Sequence, residues 1–226
     1  MIATTELQEK FYQPTRINLL EYKGGYLPSE IEIPAEQLGF QKWNSILEQT
    51  QSDGRERLIV VSSIKGRIEI SKVSVGFSDI DSKAESVSPP FLPQGLLSFL
   101  PWTRNLAYVH SHQKPAVLSH LKTTLLSDKD VRTYHDSTYP AEVMIDPGGV
   151  HVLLRTSNLA SGQSLPDFNL HEAALGRAKK GNNTVLEAMS ALGDLLASSG
   201  IRYYYSPQLT PTPEGQISLT DVRSIK

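Results

Sequence analysis

The feature that most narrows what this chain can fold into is the run RLIVVSSIKGRIEISKVSVGF over residues 57 to 77. β-Branched residues stand on both sides of Lys65-Gly66, a pair suited to a tight reversal, so the pattern predicts a β-hairpin at the centre of a sheet. AEVMID and VHVLLRT, flanking Pro147-Gly148-Gly149, predict another hairpin with explicit turn chemistry. NLAYVHSH, IRYYYS and ISLTDVRSI read as further strands. Nearer the start, RINLLEY and SEIEIP flank KGGYLP, whose Gly24-Gly25 can take positive φ angles; a hairpin or two short strands is expected there.

Helical spacing appears between these strands. Leu38, Phe40, Trp43, Ile46 and Leu47 recur at threes and fours, predicting a helix from Ala35 to about Gln51. SDKDVRTYHDS begins like a helix capped by Ser127, and TVLEAMSALGDLLASS is amphipathic with Gly200 as its stop. Residues 79 to 93, rich in Ser, Asp and Pro, predict a loop, QGLLSFL a short helix, and residues 157 to 183 irregular chain. The order implies an α/β fold, a mixed β-sheet flanked by helices. Residues 1–29 read as an N-terminal extension, 30–156 as a core, and 157–226 as a helix and strands that complete or extend it.

Composition excludes several chemistries. With no cysteine there can be no disulfide, thiolate ligand or cysteine nucleophile, so any metal must rest on His, Asp or Glu. A net charge of −2 without a basic run argues against nucleic acid as the partner. No apolar run of about 18 residues could span a bilayer, and MIATTELQEKFYQ lacks the features of a secretory signal, so a cytoplasmic protein is expected.

The stretch that carries chemistry is Tyr108-Val109-His110-Ser111-His112, at the end of an apolar strand. Residues two apart share a strand face, so both imidazoles can converge on one ion, and two nitrogens suit zinc. The competing reading is a pair of polar residues at a strand end. Downstream, Ser127 precedes Asp130 by three at a helix start, which by itself describes a capping box. Combined with the histidines, Asp130 becomes a third ligand that leaves a fourth tetrahedral position open.

His110-Ser111-His112 followed by Ser127-x-x-Asp130 resembles the signature of the JAB/MPN (JAMM) zinc isopeptidases. The flanks resemble that family too: IEIPAEQLGFQKWNSILEQ precedes Glu56 in RERLIVVSSIKGRIEI, and YPAEVMIDPGGVHVLLR follows the Ser-x-x-Asp. The resemblance covers roughly residues 30 to 156 and implies an MPN-like (cytidine-deaminase-like) fold. It further implies Zn²⁺ on His110, His112 and Asp130, Glu56 as general base and Ser127 at the oxyanion. The implied reaction is hydrolysis, by metal-activated water, of an isopeptide or peptide bond after the C-terminus of a ubiquitin-like or sulfur-carrier protein. Two departures stand out. The stretch from Gln113 to Leu126 is longer than the family's usual spacer, whose length would land on His120, and bulky IVVSS replaces the small residues expected after the glutamate.

Glu56 also reads as a solvated charge beside Asp53, Arg55 and Arg57, and Glu69 in GRIEI is the other candidate base. His120, His135, His151 and His171 read as surface or supporting residues, and Trp102 and Tyr203-Tyr204-Tyr205 as packing. The rival functions are an inactive MPN-type scaffold and another metal-dependent hydrolase.

Overall fold

In a computed structural model the described residues are 14–76, 102–112, 125–156, 165, 173–174 and 185–225. Strands β1 (Thr15–Arg16), β2 (Glu30–Pro34), β3 (Arg57–Ile64), β4 (Arg67–Ile70), β5 (Ser74–Val75), β6 (Thr103–Ser111), β7 (Ala141–Asp146), β8 (Gly149–Arg155), β9 (Ile201–Ser206) and β10 (Gln216–Asp221) form one sheet. Their order is β1-β2-β10-β9-β8-β7-β6-β3-β4, with β5 also paired to β3. Two pairs are parallel, β1 with β2 and β6 with β7, and the remainder antiparallel, so the chain is a mixed α/β fold.

Helix α1 (Trp43–Asp53) covers one face of the sheet, and α2 (Asp128–Asp136) and α3 (Val185–Ala197) cover the other. On the α1 face, Trp43, Ile46 and Leu38 pack on Ile59, Val109, Val143 and Val152. On the opposite face, Val131 and Tyr134 of α2 and Met189 and Leu192 of α3 pack on Leu58, Val60, Met144 and Leu153. Strands β9 and β10 lie inside the sheet, since β9 pairs with β8 and β10 with β2. No helix among the described residues is long and apolar enough to cross a membrane.

Two expectations need correction, and a third is met in one of its two forms. The 57–77 hairpin forms, but β4 lies at the sheet edge, and β7, β8 and β9 occupy the middle. Of the two alternatives for the first segments, two short strands form and the hairpin does not, because β1 and β2 run parallel and a parallel pair cannot be closed by a tight turn. After Ile17, whose N–H still donates to Glu32 O at 2.8 Å, residues 18–22 leave the ladder: the amides of Glu21 and Tyr22 close on Asn18 O, and Leu19 N–H donates to Gln37 Oε1 at 2.6 Å. The helix expected from Ala35 is interrupted at Gly39 (φ 73°), splitting off two 3₁₀ turns before α1. A Cβ there would sit 2.9 Å from Val61 Cγ2 and 3.1 Å from Ile59 Cδ1, so the close approach to β3 requires glycine.

The second hairpin, the helix capped by Ser127 and the helix ending before Gly200 (φ 71°) all form. ISLTDVRSI splits into β10 and a 3₁₀ turn at Val222–Ser224. The loop expected at 79–93, the helix QGLLSFL and most of 113–126 and 157–183 lie outside the described residues.

Candidate metal centre

Strand β6 delivers the two histidines. It runs between β3 and β7, and alternation turns Val109 and Ser111 towards α1 while His110 shares the other face with Tyr108. The amide of His112 donates to Ile145 O at 2.9 Å, so β7 anchors the chain just beyond the strand end. Ser111, between the imidazoles, is fully buried and locks the strand from the α1 side. Its Oγ lies 2.5 Å from Thr50 Oγ1 and accepts from Arg57 N–H at 3.0 Å.

Helix α2 delivers Asp130. Ser127 is its N-cap: Asp130 N–H donates to Ser127 Oγ at 3.2 Å, while the Ser127 N–H and hydroxyl donate to Asp130 Oδ2 at 2.8 and 2.7 Å. The capping box and the ligand reading, opposed in the sequence, coexist here, because Oδ2 serves the cap and Oδ1 faces His110. Burial of Val131 and Tyr134 seats the helix, and Arg155 binds its C-terminal carbonyls, reaching Tyr134 O and, at 2.5 Å, Ser137 O.

Glu56 arrives by a third route. Helix α1 ends at Gly54 (φ 75°), whose N–H donates to Thr50 O, and Arg57 then grips the helix end with two bonds to Asp53, at 2.8 and 2.6 Å. Arg57 also holds Arg55 O at 2.7 Å, so the residues around Glu56 are tied down on both sides. The hydrogen bonds from Arg57 and from the Arg55 amide keep Asp53 well below the usual carboxylate range.

The four groups meet. His110 Nε2 lies 3.6 Å from Asp130 Oδ1, His112 Nε2 lies 3.5 Å from Asp130 Oδ2, and Glu56 Oε1 is 3.4 Å from His112 Nε2. The ligand atoms of His110, His112 and Asp130 all lie within 4.8 Å of one another. Corners of a tetrahedron drawn at zinc–nitrogen and zinc–oxygen bond lengths are about 3.3 Å apart, so the His110 Nε2–Asp130 Oδ1 distance is close to one edge of such a site, while the 3.5 Å from His112 runs to the other oxygen, which also serves the cap. The buried Nε2 of His110 has no hydrogen-bond partner, as expected of an atom reserved for a metal.

Protonation favours the same use. Burial, reinforced by His112 and His151 and opposed by Asp130, pulls His110 down to about 4, leaving a neutral imidazole near pH 7. Burial pushes Asp130 upward, but the two imidazoles and the Ser127 hydrogen bonds outweigh it and hold the carboxylate below its ordinary range. A neutral imidazole and an ionised carboxylate are the forms a cation binds.

Glu69 does not join them: it is exposed on β4, opposite Ser62. His151 is not at the surface but fully buried, its Nδ1 2.6 Å from the Tyr203 hydroxyl and its Nε2 3.7 Å from Asp146 Oδ2. His135 stays near Asp136, 2.9 Å away, and His120 and His171 lie outside the described residues. Trp102 is not packed inside: it is 47% exposed, with Lys65 Nζ 5.7 Å over its ring. The three tyrosines are buried in the sheet as expected.

Sequence reading missed Glu142. It is fully buried on β7, with Oε1 3.7 Å from His110 Nδ1, and burial, followed by the Asp130 charge, pushes its carboxyl well above the ordinary range. The available signal was the alternation Glu142, Met144, Asp146 in AEVMID, which sets two acids on one face of a strand too apolar to lie at an edge. Compared with known proteins, the chain matches no family model, no curated protein and no solved structure.

Proposed function

We propose that the chain is a zinc-dependent metallopeptidase of the JAMM kind with an MPN-like fold, acting in the cytoplasm after the C-terminus of a ubiquitin-like or sulfur-carrier protein. The observation that carries the reading is the meeting of His110, His112 and Asp130 within 4.8 Å despite the long excursion between strand and helix. Glu56 beside His112 supplies the fourth group that hydrolysis needs. When bound, the ion would supply Lewis acidity towards a carbonyl and lower the pKa of water.

The chain's own residues do the rest. Glu56 accepts a proton at Oε1 from the attacking water and returns it to the leaving amine, as suits a positioned carboxylate. Asp130, fixed by two bonds from Ser127, holds its Oδ1 towards the ligand set. Ser127 stabilises the oxyanion by turning its single hydroxyl proton from Asp130 to the substrate. An extended C-terminal tail would bind by backbone pairing along a strand edge. β5, paired with the start of β3 and followed by Gly76, whose N–H donates to Glu56 O at 2.9 Å, supplies a short one.

The test uses protein purified without a polyhistidine tag. About one zinc per chain and chelator-sensitive release of a ubiquitin-like or sulfur-carrier protein from fusions are expected. Glu56→Gln should keep the zinc and lose about 10²- to 10⁴-fold in rate. A chain that takes up no zinc is instead a scaffold, and zinc uptake without cleavage of any fusion points to another hydrolase.

A further inference from the structure

We infer that Glu142 is a positioning residue, accepting the Nδ1–H of His110 and so presenting Nε2 to the metal; this rests on the metal-centre reading above. The two nitrogens of His110 face different neighbours, Nε2 towards Asp130 at 3.6 Å and Nδ1 towards Glu142 at 3.7 Å. An imidazole that binds a metal through one nitrogen carries its proton on the other, and a carboxylate behind that nitrogen sets ring orientation and tautomer. A shift of about half an ångström would bring the Nδ1–Glu142 distance to hydrogen-bond length.

Besides His110, the Tyr108 hydroxyl bears on Glu142, favouring the ionised carboxyl against the upward push of burial. Glu142 lies on β7 between β6 and β8, level with Tyr108 and Leu153, where an apolar side chain would pack without penalty. Neither of its oxygens meets hydrogen-bond geometry in the structure, and a buried carboxyl in that condition costs stability. Its one ion-pair neighbour among the described residues is His110. Tyr108, one strand residue pair away, stacks against the same imidazole at 6.0 Å between ring centroids with planes 21° apart, restraining the ring from its face while Glu142 addresses its edge.

The experiment compares the full chain with Glu142→Leu and Glu142→Gln, reading zinc affinity by chelator competition, thermal stability without metal, and the His110 ring proton by NMR. Glu142→Leu should bind zinc about 10- to 100-fold more weakly and lose a slowly exchanging Nδ1–H signal present in the zinc-loaded parent. Its metal-free melting temperature should hold or rise, which a merely structural carboxyl would not permit. Glu142→Gln keeps an acceptor oxygen and should stay within a few-fold of the parent. A Leu variant that binds zinc as tightly as a zinc-binding parent overturns the inference alone, whereas a parent that takes up no zinc removes the metal centre and this role together. If the Leu variant fails to fold, a zinc-loaded parent showing no protected Nδ1–H also overturns it.

Discussion

Two neighbouring rows cross the same five strands and differ in kind. Ile59, Val109, Val143, Val152 and Tyr204 form a row facing α1, and all five are buried side chains of an ordinary core. One residue earlier on the first and fourth strands, and one later on the second, third and fifth, Leu58, His110, Met144, His151 and Tyr205 form a row facing α2 and α3. The next row on that side is Val60, Tyr108, Glu142, Leu153 and Tyr203. The α1 face is apolar across these strands, with Ser111 and Thr50 satisfying each other at its margin. The opposite face alternates apolar side chains with imidazole, carboxyl and phenol, each of which must find a partner in a dry layer. One side holds the sheet together, and the other uses that rigidity to keep costly groups in place.

If this division of labour is real, damage to the two faces should separate. Trp43, 1% exposed on the apolar side, should lose about 3–5 kcal/mol of stability on change to Ala, while the protein that remains folded keeps its zinc affinity. Chemical denaturation combined with metal titration checks this, and a parallel loss of affinity would break the separation.

Acid should act from the other face. His110 is held down to about 4 when folded, whereas in the unfolded chain it titrates near 6.5, so its contribution to metal-free stability is complete above that value and lost as pH falls towards 4. The loss is on the order of 3 kcal/mol, and His110→Gln should flatten this part of the stability profile. Equal slopes in parent and variant would show that the imidazole is not held neutral by burial.

The smallest effect sharpens the boundary between structure and chemistry. Ser127→Ala removes the cap of α2 and should cost about 1 kcal/mol, yet it also removes one of the two bonds by which Ser127 fixes Asp130 Oδ2, leaving the backbone one. Zinc affinity should therefore fall alongside the small drop in melting temperature. A stability loss with unchanged metal binding would confine Ser127 to capping.

Much of this architecture was legible because it is local. Strand alternation in AEVMID and VHVLLR, the Ser127 cap and the His-x-His spacing each depend on a few neighbouring residues. What escaped depends on distant ones. The position of β4 at an edge is decided by which strands β6 and β7 recruit, and the break at Gly39 by the closeness of Ile59 and Val61. Glu142 looked like one more strand residue because its meaning lies in His110, a neighbour supplied only by the parallel pairing of β6 and β7.

The seating of β10 beside β2 has a kinetic consequence. Glu32 and Ser218 touch across that pair although 186 residues separate them, so the early strand cannot complete its ladder until the last one has been made. A nascent chain leaving the ribosome would carry an open, sticky edge from the emergence of β2 until β10 follows, and refolding from denaturant should be slow for a domain of this size.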